Sequence, residues 1–109
     1  MTPAELDAMR ATTARAAADP QPGDYWHEML CAVALVVARR GGNVCVCRDK
    51  EDDGPRHFRF VNPRWMTVNQ FRTWLGYGRD GGYWADCAVR SCRDVSSYAP
   101  LIPPLEVSA

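Results

Sequence analysis

Net charge is the first thing missing: thirteen bases are cancelled by thirteen acids, so no bulk field draws this chain to nucleic acid or to an anionic membrane. Long apolar runs are missing too. The longest, Met29–Ala38, would span about 15 Å as a helix, half of a bilayer core, so no membrane partner is expected. Met1–Asp7 carries two acids and no apolar stretch, which argues against a secretory leader. Histidine is scarce, with His27 and His57 alone, and lysine scarcer, with Lys50 beside twelve arginines. Neither cysteine pair has the two-residue spacing of a zinc knuckle: the pairs are Cys45-x-Cys47 and Cys87 with Cys92. An odd count of five cysteines without a leader fits reduced thiols in a cytoplasm.

What is present is ordinary globular material. The 109 residues are 47 % hydrophobic and 24 % charged, which suits a single domain, 1–109, with one modest core. Thr2-Pro3-Ala4-Glu5 is a capping box with proline at the first helical position, and it predicts a helix over Pro3–Ala18. Its large apolar residues are Leu6 and Met9, a stripe thin enough for residues 1–19 to serve as an arm. Asp19–Gly23, with two prolines, ends it. Asp24 then reads as the N-cap of a second helix, Tyr25–Arg40, with Gly41 as its left-handed cap. Met29–Ala38 is apolar all round, and such a helix must be covered on every side. A homodimer through Val33 and Val37 is one way to cover it.

Asn43–Asp49 and Arg56–Val61 alternate about a polar turn and predict a β-hairpin over 43–61 whose register the turn leaves open. In one register Cys45 and Cys47 share a surface with His57 and Arg59; in the other they sit beside Phe58 and Phe60. Thr67-Val68-Asn69-Gln70 is a second capping box. The short helix it opens carries Val68, Phe71, Trp74 and Leu75 on one face. Tyr83–Cys92 fits a strand or a helix, with strand favoured by the preceding glycines. The prolines of 100–104 predict an extended tail over 100–109.

Candidate chemistry is thin. The thiols are expected as small buried hydrophobes rather than zinc ligands. His27 stands one helical turn before Cys31, but burial would raise that thiol's pKa and nothing orients the pair. Gly76-x-Gly78-x-x-Gly81 lacks the strand-loop-helix frame of a dinucleotide site. No enzyme, metal or cofactor is expected. Arginine interleaves with aromatics through Arg56–Trp74, and 39–93 holds eleven bases against six acids. That pattern serves nucleic acid, yet Asp49, Glu51, Asp52 and Asp53 crowd the same hairpin and would repel phosphate. The same residue types are favoured at protein–protein hot spots.

The expected fold is α+β: two N-terminal helices packed on a small antiparallel sheet, with one further short helix. The expected action is binding to another protein, with Leu6, Met9, Trp26, Met29 and Leu30 as anchors. The capped Thr2–Ala18 helix, the Tyr25–Arg40 segment and the arginine-rich remainder together resemble the small QslA-type antiactivators of bacterial quorum sensing. That resemblance implies a LuxR-type transcription regulator as partner, held from dimerising and from binding DNA. Phage-encoded inhibitors of bacterial defence complexes have a similar cut, and a small nucleic-acid-binding protein is the further alternative.

Overall fold

A computed structural model of the chain describes residues 2–28, 31–52, 54–55, 58–76, 88–89 and 94–105, with backbone alone for Met9, Thr13, 27–28, 31–32 and 88–89. Helix α1, Pro3–Ala18, starts as its capping box dictates. The Glu5 amide donates to Thr2 Oγ1 at 3.1 Å, and the Thr2 amide to Glu5 Oε2 at 3.2 Å. Its C-terminal end enters the core, where Ala16 and Ala17 are fully buried.

The second N-terminal helix does not form. Tyr25–Glu28 is strand β1 and Cys31–Arg40 is strand β2, paired antiparallel with Tyr25 opposite Leu35 and Trp26 opposite Ala34. β2 then pairs with β3, Asn43–Cys47, across the Gly41–Gly42 loop, placing Arg40 opposite Asn43. Two further strands, β6 (Arg64–Thr67) beside β3 and β7 (Ala88–Val89) beside β1, complete a five-stranded sheet in the order β6-β3-β2-β1-β7. β2 lies at its centre and is buried on both faces, as Ala34 and Val36 point to one and Leu35 and Val37 to the other. A continuous apolar run is the mark of a doubly covered strand as much as of a buried helix. Three valines in Val33–Val37 tip the balance, since β-branched side chains favour strands. The signal at Gly41 is real: its φ is 56°, but it serves a hairpin loop rather than a helix end. Asp24 caps no helix; its carboxylate accepts from the Gln21 amide at 2.9 Å and lies 3.6 Å from Arg15, tying the loop to α1.

Helices cover one face of the sheet. Helix α2, Val68–Leu75, is capped by Thr67 and Gln70 as its box predicts. It buries Phe71 and Leu75 against Trp26, Val36, Val44 and Val46, with Ala16 and Ala17 of α1. Phe71 meets the Trp26 ring edge-on at 5.1 Å. The opposite face carries Tyr25, Leu35, Val37, Cys45 and Cys47, and is covered by Phe60 together with Val95, Tyr98 and Ile102. Phe60 belongs to a separate hairpin of β4 (Asp49–Asp52) and β5 (Phe58–Val61). The hairpin expected over 43–61 is therefore split: residues 43–47 join the main sheet and 49–52 pair with 58–61. The molecule is α+β, with one N-terminal helix, a small antiparallel sheet and one further short helix. Among the described residues, no helix is long and apolar enough to cross a membrane.

Candidate binding groove

The hairpin β4–β5 is amphipathic by strand alternation. Phe60 points inward and meets Tyr25 edge-on at 5.8 Å, while Glu51 and Arg59 face solvent as an ion pair at 3.1 Å. After Val61 the chain turns through Asn62-Pro63 into β6, with Asn62 at φ 58°. Asparagine tolerates this left-handed conformation better than most residues with a Cβ. Opposite stands the 3-10 helix Ser96–Leu101. Asp94 opens it by accepting the Ser96 amide at 2.9 Å; that backbone bond, then the Ser96 side chain, holds its carboxyl below the usual range. The tail beyond is fixed to β6, as Trp65 Nε1 donates to the Pro103 carbonyl at 2.7 Å.

Between hairpin and 3-10 helix lies a cavity of about 760 Å³, with Phe60, Pro63, Tyr98, Leu101 and Pro103 as its apolar lining and Glu51, Arg59 and Arg64 as its charges. Its volume is within the range of ligand-sized sites. Leu101, at 58 % exposure, is a large apolar side chain of this lining left to solvent; Phe58, at 43 %, is another exposed ring, edge-on to Phe60. Arg64 also lines a second depression of about 350 Å³, with Arg48, Asn62 and Trp74, and a third of about 400 Å³ along β6.

The arginine–aromatic stretch is not one surface. Arg39 is tied down by Asp19 at 2.9 Å and the Pro20 carbonyl at 2.8 Å. Arg59 is paired with Glu51. Arg40 stacks over Trp65, on the hairpin side of the sheet, and Arg48 over Trp74, on the helix side. Among the described residues, no carboxylate lies within ion-pair distance of Arg64.

The expected anchors scatter. Trp26 is fully buried beneath Phe71 and offers no surface. Leu6 is half-buried on α1, and the Met9 side chain, Met29 and Leu30 lie outside the described residues. Val37 is buried and Val33 is partly buried against the helix-side core, so Val33–Val37 of the apolar run packs within one chain. Cys45 and Cys47 are free, buried thiols facing Phe60. Burial pushes Cys45 up to about 11. Cys47 reaches about 12 through burial first, then the nearby Cys45 and Asp49. Protonated thiols make poor nucleophiles and poor metal ligands. Cys31, Cys87, Cys92, His27 and His57 fall where no side chain is described, as do residues 83–87 and 90–92 of the ambiguous segment.

The 3-10 helix Ser96–Leu101 overlaps the extended tail expected over 100–109 only at Pro100 and Leu101, and the groove it walls is assembled by tertiary packing. The missed signal is the three-residue spacing of Val95, Tyr98 and Leu101, which matches a 3-10 turn. Compared with known proteins, the chain matches no family model, no curated protein and no solved structure.

Proposed function

We propose that this is a small regulatory protein that works by binding another protein, with the groove between the β4–β5 hairpin and the 3-10 helix as its binding surface. One observation carries the reading: a cavity of about 760 Å³ is lined by Phe60, Pro63, Tyr98 and Pro103 together with the exposed Leu101. Exposed apolar surface rimmed by polar groups is characteristic of interaction sites. Buried, free Cys45 and Cys47 suit action in a reducing cytoplasm. Val37 is buried and Val33 partly buried within the chain, which lessens the motive for a homodimer through them, and the partner is taken to be a different protein. The QslA-type resemblance makes a LuxR-type transcription regulator the first partner to try, with loss of its dimerisation and DNA binding as the consequence. A phage-type inhibitor of a defence complex would use the groove in the same way. Nucleic acid is the weaker reading, because Arg40 and Arg48 stack on opposite faces of the sheet while Arg39 and Arg59 are bound to carboxylates.

The test is affinity capture from bacterial lysate with the unchanged protein, Leu101→Glu in the groove and Arg10→Glu on α1. A protein held by the first and third and lost with Leu101→Glu supports the reading. Capture lost with Arg10→Glu and kept with Leu101→Glu moves the interface to α1. Salt-sensitive binding of a generic oligonucleotide to the unchanged protein would favour the nucleic-acid reading instead.

A further inference from the structure

We infer that the groove recognises an extended protein segment in which an apolar side chain stands within two residues of a carboxylate; the inference rests on the groove being the binding surface. The apolar half follows from the lining. Phe60, Pro63, Tyr98, Leu101 and Pro103 present rings and branched carbon, and the two prolines bring no amide donors. Such a lining rewards burial of carbon, while Glu51, Arg59, Asn62, Arg64 and Ser97 supply polar groups alongside it.

The carboxylate half follows from which cation is free. Two arginines line the cavity, Arg59 and Arg64. Arg59 is held by Glu51 at 3.1 Å, whereas Arg64 is exposed and has no carboxylate within reach among the described residues. Arg64 also faces the adjoining depression, where Arg48 is held over the Trp74 ring at 5.0 Å. Stacking positions a guanidinium without neutralising it. Asn62, in its left-handed conformation, forms the divide between the two depressions and lines both. An acid seated over Arg64 therefore meets a planar guanidinium suited to bidentate pairing, with a second positive group, Arg48, lining the adjoining depression.

The anion is a lone carboxylate rather than a run of phosphates because acids flank the site. Asp49 lines the smaller depression and Glu51 the larger. A polyanion long enough to span both depressions would meet both acids, whereas one carboxylate is matched by Arg64 with Arg48 behind it.

The experiment is selection of a displayed library of random heptapeptides on the folded protein. The best peptide is then measured by fluorescence anisotropy against the unchanged protein, Arg64→Gln, Arg64→Lys and Leu101→Glu. The expected selection enriches Asp or Glu within two positions of Leu, Ile, Phe or Tyr. Arg64→Gln should weaken the best peptide about tenfold or more, as loss of a charge-assisted pair requires, with Arg64→Lys between the two. Peptides without acid enrichment that ignore Arg64→Gln but are lost with Leu101→Glu overturn the carboxylate inference and leave the groove standing. Peptides that ignore Leu101→Glu overturn the groove reading as well. A library that yields no binder also counts against the inference.

Discussion

Cys45 and Cys47 show how position decides what a side chain can do. Both lie on β3 facing Phe60, where burial stabilises the neutral thiol and lifts them to about 11 and about 12 from an ordinary 9.0. In the native protein at pH 8 they should resist alkylation by iodoacetamide, and react once urea unfolds the chain; mass spectrometry of the labelled peptides checks this. The sign of the pH effect follows from linkage. Above pH 9 the unfolded chain releases these protons first and so binds fewer of them, and stability falls as pH rises. Urea midpoints should be level in this respect below pH 9 and drop between pH 9 and 12, with a shallower drop in the double variant Cys45→Ala, Cys47→Ala. An equal drop in both proteins would show that the thiols are not responsible. Alternation along 43–47 makes it legible that both cysteines share one face, but not what covers it, because Phe60 reaches that face from a separate hairpin rather than from a paired strand.

At the level of elements, signals between chain neighbours are legible in the sequence and long-range ones are not. Both capping boxes form as their four-residue patterns dictate, since the groups involved are adjacent in the chain. Thr67→Ala should cost about 1 kcal/mol. At this size that lowers the melting temperature by about 4–8 °C. Thr2→Ala should cost less, because the first turn of α1 is exposed and can fray without disturbing the core. Calorimetry of the two variants tests the ranking. Tyr25–Arg40 went the other way. Its apolar run stated that every side would be covered, but not whether by helices around a helix or by layers around a strand. Pairing with β3 and β1 decides it, and such pairing is a property of distant residues. Val37→Arg follows as a test of the strand. A charge forced into the buried cluster of Leu35, Cys45, Cys47 and Phe60 should destabilise by about 4 kcal/mol or more and abolish cooperative melting. A helix used for self-association would instead give a folded chain that sediments differently.

For the molecule as a whole, the central fact is that a five-stranded sheet is covered on both faces by unlike material. Helices α1 and α2 close one face with Ala16, Ala17, Phe71 and Leu75. The other is closed by a two-stranded hairpin and a 3-10 helix, which meet the sheet through Phe60, Tyr98 and Ile102 and leave the groove between themselves. The α+β class was legible from composition and alternation. The site was not, because its walls come from Glu51, residues 59–64, 97–98, Leu101 and Pro103, brought together by tertiary packing alone. Arg64 looked like one arginine among many, and it stands out once the partners of Arg39 and Arg59 are known. The most direct test places a photo-crosslinking amino acid at Leu101 in the groove or at Ala11 on α1, in the cells that make the protein. The account predicts a discrete crosslinked protein adduct from position 101 and none from position 11; an adduct from position 11 with none from 101 would contradict it.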